Sequence, residues 1–206
     1  TGVDFRRYKQ SSLRRRIARR MIITRHSDLK TYADYLSEYP SEAQALFQDI
    51  LIHVTMFFRD PDVFETIQNK VLPTILSTDT QSVRCWVPGC ATGEEVYSLA
   101  IILLEFLGER AGKVDIKIFG TDLSARAIEF ARAAIYTRSS TAAVSSERLA
   151  RFFAPAEEGH RVIRTVRDMC IFARHDLLND PPLARLNLVS CRNLLIYLEA
   201  DLQQAA

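Results

Sequence analysis

The sequence lacks the features that would place it in several common protein classes. It contains no apolar run long enough to cross a bilayer and no apolar segment typical of a secretion signal. Its four cysteines, Cys85, Cys90, Cys170 and Cys191, are scattered, with no Cys-x-x-Cys pair and no flanking histidine. We therefore expect a cytoplasmic chain with reduced thiols, without a metal site, a disulfide framework or membrane insertion.

What is present is an ordinary composition with an uneven distribution of charge. The 206 residues are 48% apolar, which is enough for one sizeable core or for a core with a small satellite domain. Residues 1–30 hold ten Lys or Arg against two Asp, although the overall formal charge is +2. The first 30 residues therefore carry +8 and the remainder −6, which indicates two surfaces with different partners.

The first part of the chain has the pattern of a small helical bundle. Leu13, Ile17 and Met21 recur at helical spacing in a stretch without Gly or Pro. Ser27 is a candidate cap for the helix that follows. We predict an all-helical domain over residues 1–60.

From residue 61 onward, strands alternate with helices. The runs 82–87 and 114–119 are β-like, and each is followed by an apolar helix. This order is typical of a doubly wound α/β fold with a parallel sheet, which we predict for residues 61–206.

The later part of the α/β region departs from this alternation. Two β-like runs, 161–166 and 169–174, are predicted to form a hairpin within a small inserted antiparallel β-subdomain at about 155–174. The segment 185–191 has the pattern of a buried strand, and no further strand follows it in this sequence. Because an open α/β sheet normally continues, we expect a C-terminally truncated fragment.

A glycine turn followed by two acids is the most informative stretch. Gly89 and Gly93 lie between a predicted strand and helix, where they let the backbone approach a ligand closely. The dinucleotide pattern GxGxxG is not matched and the P-loop Lys is missing, so phosphate is disfavoured. Glu94 and Glu95 would attract an ammonium group or ribose hydroxyls, which S-adenosylmethionine carries without phosphate. The alternative is a plain helix N-terminus whose acids offset the dipole.

Polar residues also follow the other predicted strands. Asp122 comes 33 residues after Gly89 and could accept both ribose hydroxyls of a bound nucleoside. The alternative is a role at the start of the next helix, for which Ser124 is the better cap. Ser190, Arg192 and Asn193 interrupt the last strand-to-helix passage and would face the same crevice.

A break between helices at 53–61 supplies two more candidates. Arg59 could bind a ligand carboxylate in a bidentate manner, and Thr55 could add a hydroxyl. The alternative for Arg59 is a surface ion pair. Phe57 and Phe58 are predicted to be ordinary core residues.

Together these stretches resemble the CheR family, the S-adenosylmethionine-dependent glutamate methyltransferases of chemoreceptors. The segments that carry the resemblance occur in family order over nearly the whole chain; they are VTMFFRDPDVF, WVPGCATGEEVYSLA, GTDLSARAIEFARAAIY, ARHDLLNDPP and LVSCRNLLIYL. The last segment is similar to versions found in multidomain proteins that fuse CheR to CheB and sensor modules. The resemblance implies a Rossmann-like methyltransferase sheet with a helical N-terminal domain and an inserted β-subdomain.

The resemblance also implies which residues hold the cofactor. The implied cofactor contacts are His53, Thr55, Arg59, Gly89, Glu94, Glu95, Asp122, Asp176, Leu177, Arg192 and Asn193. The implied catalytic residues are Arg59, Arg192 and Tyr197, with Tyr197 close to the transferable methyl group, although Tyr197 alone would be read as a core tyrosine. His53 stands where the family commonly has Asn, and Asp176 stands where Asn is also found.

The implied activity is methyl transfer to receptor glutamates with release of S-adenosylhomocysteine. The basic face around Arg15, Arg16, Arg19 and Arg20 would suit a glutamate-rich receptor helix, or it is a plain solvated face. A receptor-tail peptide is a candidate ligand of the β-subdomain. One alternative is a nucleic-acid methyltransferase, but a base-stacking aromatic is not found, so we expect no nucleic-acid partner. The other is a catalytically silent module that binds the cofactor or docks receptors.

Overall fold

The computed structural model describes residues 3, 5, 8–51, 54–200 and 203. The chain forms two compact units. The first comprises Thr1–Ile52 and Arg192–Ala206, and the second comprises His53–Cys191. Within the described residues, no helix has the length and apolar character needed to cross a membrane.

Three helices form most of the first unit: α1 (Gln10–Ile23), α2 (Leu29–Glu38) and α3 (Pro40–Ile50). The cap predicted at Ser27 is wrong. Asp28 caps α2 instead, because its side chain accepts a hydrogen bond from the Thr31 amide at 2.9 Å. Pro40 begins α3, where its missing N–H costs no intrahelical bond.

A partly buried ion pair links α1 to α3. Arg20 donates to both carboxylate oxygens of Glu42, at 2.9 and 2.6 Å. Tyr32, fully buried on α2, donates to the same carboxylate at 2.8 Å. The exposed basic face of α1 therefore does not include Arg20, whose charge is compensated inside the helical unit, whereas Arg15 and Arg19 are exposed.

The second unit alternates helices and strands. In chain order its elements are α4 (Pro61–Thr66), a π-helical turn (Ile67–Val71), α5 (Leu72–Ile75), β1 (Ser82–Pro88), α6 (Glu94–Leu107), a 3₁₀ turn (Gly108–Lys113), β2 (Asp115–Asp122), α7 (Ala125–Ala133), β3 (Ile135–Thr137), α8 (Ser146–Phe152), β4 (Phe153–Ala156), β5 (Gly159–Val162), α9 (Arg164–Arg167), β6 (Cys170–Arg174) and β7 (Leu188–Val189). Ser124 caps α7, as predicted, by accepting from the Ala127 amide at 3.2 Å.

Four of these strands form a parallel sheet in the order β6-β2-β1-β7. The predicted α/β fold with a parallel sheet is confirmed. Ten of the 14 residues of α6 are buried, so this helix packs with almost its whole surface inside the core, as its continuous apolar pattern indicates. Phe57 and Phe58 are 0% and 6% exposed, which confirms their prediction as core residues.

Three short strands form a separate antiparallel sheet in the order β3-β5-β4. The predicted hairpin of 161–166 and 169–174 is wrong. β5 pairs with β3 and β4, whereas β6 pairs in parallel with β2 of the main sheet, and the short helix α9 separates them. The predicted run 169–174 corresponds to β6, but the run 161–166 overlaps β5 only at Arg161 and Val162, and residues 164–166 belong to α9. The local pattern also carries no information on which strand each one pairs with.

Candidate functional site

The parallel sheet has a point where its strand order reverses. From β1 the chain adds β2 and then β6 on one side, and it later places β7 on the other side of β1. In open α/β sheets, ligands bind outside the carboxyl ends of the strands at such a switch point. The residues that follow β1 and β7 therefore define the candidate site.

The turn 89–93, which joins β1 to α6, has an unusual backbone. Gly89, Ala91 and Gly93 have φ values of 66°, 47° and 94°, a region that L-residues with a side chain rarely adopt. A Cβ on Gly93 would lie 2.8 Å from the Cβ of Ala131, so both the conformation and the space require glycine there.

Asp122 at the end of β2 helps to fix this turn. Its Oδ2 accepts from the Ala91 amide at 2.9 Å, and its Oδ1 accepts from the Ser124 amide at 2.8 Å. Both bonds orient a half-buried carboxylate beside the turn. Each oxygen keeps a second lone pair, so the group can still accept from hydroxyls of a ligand.

Glu94 and Glu95 begin α6 in different surroundings. Glu94 is 5% exposed and accepts from the Thr92 hydroxyl at 2.7 Å, and its burial raises the pKa of its carboxyl. Glu95 is half-buried, and its Oε1 accepts from the Ser190 hydroxyl at 2.7 Å. Ser190 follows β7, so this bond crosses the switch point and joins the start of α6 to the segment after β7.

Asp176 and Leu177 follow β6 at the same edge of the sheet. The amide of the preceding His175 donates to the Asp122 carbonyl at 3.1 Å. The Asp176 carboxylate accepts from the Leu178 amide at 3.0 Å and from the Asn179 side chain at 2.8 Å. Asp176 therefore shapes its own loop, and Leu177 is half-buried.

The segment before α4 supplies Thr55 and Arg59. Thr55 and Arg59 are half-buried, and an Arg59 guanidinium nitrogen donates to the Val54 carbonyl at 3.0 Å. The Phe58 amide donates to the Ser98 hydroxyl of α6 at 2.9 Å, which ties this segment to the helix of the glycine turn. His53 lies outside the described residues.

Arg192, Asn193 and Tyr197 belong to the other compact unit. Arg192 and Tyr197 are half-buried, Asn193 is exposed with φ of 56°, and the Tyr197 carbonyl accepts from the Lys9 amide at 3.0 Å. Their role at the cofactor site stays a prediction.

Sequence reasoning missed one residue within the turn, Thr92, and one that contacts it, Tyr136. The Tyr136 hydroxyl on β3 donates to the Thr92 carbonyl at 2.7 Å. The Thr92 hydroxyl donates in turn to Glu94. Thr92 stands beside the glycines and acids and could have been noticed there, but Tyr136 is 44 residues further along and carries no local signal.

Comparison with models of protein families gives two matches that together span nearly the whole chain. Residues 53–206 match the family model "CheR methyltransferase, SAM binding domain", and residues 1–51 match "CheR methyltransferase, all-alpha domain".

Individual relatives agree with the family matches. An uncharacterized 104.1 kDa protein of Rhodobacter capsulatus is 39% identical over 99% of this chain, which spans 22% of that protein. The putative methyltransferase Cher3 of Pseudomonas putida is 36% identical over 98% of this chain and 75% of its own length. Chemotaxis protein methyltransferase 2 of Vibrio cholerae is 28% identical over 97% of this chain and 71% of its own length. The chain belongs to the CheR family of methyltransferases.

Proposed function

We propose that this chain is a cytoplasmic protein-glutamate O-methyltransferase that modifies glutamate side chains of chemotaxis receptors. The observation that carries the proposal is the pair of carboxylates, Glu95 and Asp122, presented beside a glycine turn at the switch point. The match to an SAM-binding domain supports the cofactor. Relatives named chemotaxis protein methyltransferase support the receptor as substrate.

The chemistry of these two carboxylates suits S-adenosylmethionine. Carboxylates such as Glu95 and Asp122 would repel the pyrophosphate of a dinucleotide. They suit, instead, the ammonium group and the ribose hydroxyls of this cofactor. In this proposal Glu95 holds the amino acid end, Asp122 holds the ribose, and Leu177 contributes apolar surface next to the base. The bound cofactor supplies an electrophilic methyl group on a sulfonium.

The protein's own task in this reaction is alignment. A substrate glutamate is ionised near neutral pH, so its carboxylate is already a nucleophile and needs no general base. Holding the two reactants in line and excluding water then supply most of the rate enhancement. We propose that Arg59, Arg192 and Tyr197 position reacting groups and do not exchange protons.

The exposed arginines of α1 are the proposed contact for the receptor. Arg15 and Arg19 are exposed and lie one helical turn apart. A row of guanidinium groups would attract the acidic face of a receptor helix and accelerate the encounter.

The small antiparallel sheet is the proposed contact for a receptor-tail peptide. β3 and β4 are its two outer strands. An extended peptide could pair with an outer strand through backbone hydrogen bonds, which is a common mode of peptide recognition.

The first test is isothermal titration of the chain with S-adenosylhomocysteine, together with an Asp122→Ala variant. The variant removes the carboxylate proposed to hold the ribose, so we expect affinity to fall at least about tenfold, which corresponds to the loss of roughly one charged hydrogen bond. Asp115→Ala is the matched control, because Asp115 is exposed at the opposite end of the same strand.

Each outcome separates the candidate functions. Loss of binding in the Asp122 variant alone, followed by methyl transfer to a receptor fragment, would support the proposal. Binding without transfer would support a catalytically silent module. If the unchanged chain does not bind S-adenosylhomocysteine, the proposed function is wrong.

A further inference from the structure

Tyr136 connects the small antiparallel sheet to the glycine turn. The residue is 1% exposed, and its ring packs edge-to-face against Phe57 at 4.8 Å and Phe130 at 5.5 Å between ring centroids. Its hydroxyl donates to the carbonyl of Thr92 at 2.7 Å. A residue of β3 therefore bonds the backbone of a turn that belongs to the main sheet.

The turn needs such external support. Three of its five residues have positive φ, and one of them, Ala91, has a side chain, so the local backbone is conformationally strained. Backbone bonds from Cys90 to Thr121 and from Gly93 to Cys90, each 2.9 Å, hold its start and end. Tyr136 adds a side-chain bond at Thr92.

Thr92 also connects the Tyr136 hydroxyl to the acidic residues at the start of α6. Its carbonyl is held by Tyr136, and its hydroxyl donates to Glu94 at 2.7 Å. Movement of Thr92 would shift the first residues of α6, where Glu95 is presented. The Tyr136 hydroxyl is thus connected to the start of α6 through Thr92.

We infer that Tyr136 is a positioning residue for cofactor binding: its hydroxyl holds the turn 89–93 in the shape that binds S-adenosylmethionine. This inference rests on the proposed function. Tyr136 acts through the Thr92 carbonyl and does not touch the cofactor.

Tyr97 provides a matched control for the test. It is also 1% exposed, and its hydroxyl also donates to a backbone carbonyl, that of Ala131, at 2.8 Å. Ala131 lies on α7; its Cβ faces Gly93, but its carbonyl, which Tyr97 bonds, is not part of the turn. Tyr136→Phe and Tyr97→Phe thus remove the same buried atom and the same kind of hydrogen bond, and each leaves the aromatic ring in place.

The experiment measures S-adenosylhomocysteine affinity by titration and thermal unfolding for the unchanged chain and both variants. We expect both variants to lower the melting temperature by similar amounts, because each loses one buried hydrogen bond. We expect Tyr136→Phe to raise the Kd about three- to tenfold and Tyr97→Phe to change it by less than about twofold. In methyl-transfer assays, Tyr136→Phe should raise the KM for S-adenosylmethionine and leave kcat unchanged.

The possible failures are distinguishable. If the unchanged chain binds and Tyr136→Phe binds equally well, the inference is overturned and the proposed function stands. Equal weakening by both variants would show a general structural effect and would also overturn it. If the unchanged chain does not bind, the proposed function fails, and this inference fails with it.

Discussion

Gly93 shows how one residue combines a backbone and a packing requirement. We expect Gly93→Ala to destabilise the fold by about 2–4 kcal/mol, because the substitution adds strain at positive φ to a clash with Ala131. Gly112→Ala is the control, since a Cβ there meets nothing within 4 Å, and its effect should stay within about 0.5 kcal/mol. Chemical denaturation measures both, and equal effects would contradict the prediction.

Glu94 should make stability depend on pH. Its folded-state pKa is raised by burial above the ordinary value of 4.5, so its favourable contribution is present below that value and is lost as pH rises through the folded pKa. Glu94→Gln removes this titration. We therefore expect the free energy of unfolding of the variant, relative to the unchanged chain, to increase as the pH rises from below 4.5 through the folded-state pKa. A pH-independent difference would contradict the assignment.

At the scale of elements, the Glu42 carboxylate joins all three helices of the first unit. Arg20 of α1 and Tyr32 of α2 both bond it, and it belongs to α3. We expect Glu42→Gln to cost about 2 kcal/mol of unfolding free energy, because a charged hydrogen-bond network is broken inside the unit. The exposed Glu38→Gln on α2 is the control. Denaturation of both variants at neutral pH is the measurement.

The same network predicts sensitivity to acid. The hydrogen bond and charge of Arg20 lower the pKa of the Glu42 carboxyl. Its stabilising contribution is therefore present above the ordinary pKa of 4.5 and is lost as pH falls through the lower folded value. The difference between Glu42→Gln and the unchanged chain should accordingly shrink in acid, whereas a constant difference would argue against the ion pair as its cause.

The helices and strands show which features of the fold can be predicted from the sequence and which cannot. Local signals sufficed for the Ser124 cap, the buried helix α6 and the strand β6, since each depends on neighbouring residues. The partner of β6 was predicted wrongly, because pairing with β2 is set by tertiary packing. The bonds from Ser190 to Glu95 and from Tyr136 to Thr92 join residues 95 and 44 positions apart. The glycines and acids in the sequence are enough to locate such a site. The contacts that support it cannot be predicted from the sequence, because they join residues that are far apart along the chain.

At the scale of the whole molecule, the exposed arginines of α1 should control the rate of association with the proposed receptor substrate. We expect Arg15→Glu combined with Arg19→Glu to slow association with a receptor fragment about tenfold at low salt and less at high salt, because exposed charges are screened. Arg164→Glu is the control, since its side chain is 84% exposed in the other unit. Surface plasmon resonance at two ionic strengths tests this, and a salt-independent effect would contradict electrostatic steering.

The strand beside the switch point is attached by few backbone bonds. β7 pairs with β1 at Leu188 and Val189, whereas β1 and β2 pair along the whole length of β1. Short ladders open locally at a small free-energy cost. The amide of Ser190, which donates to Trp86, should therefore exchange with deuterium faster than that of Ile118 at the centre of the sheet.

Ser190, the residue that follows this short strand, also bonds Glu95. A ligand that fixes Glu95 would fix the Ser190 hydroxyl and, through it, the end of β7. Occupancy of the site would then be recorded as slower deuterium uptake at Ser190, while Ile118 would be unaffected. Deuterium uptake at the end of β7, the strand with the shortest pairing in the sheet, would thus report on cofactor binding.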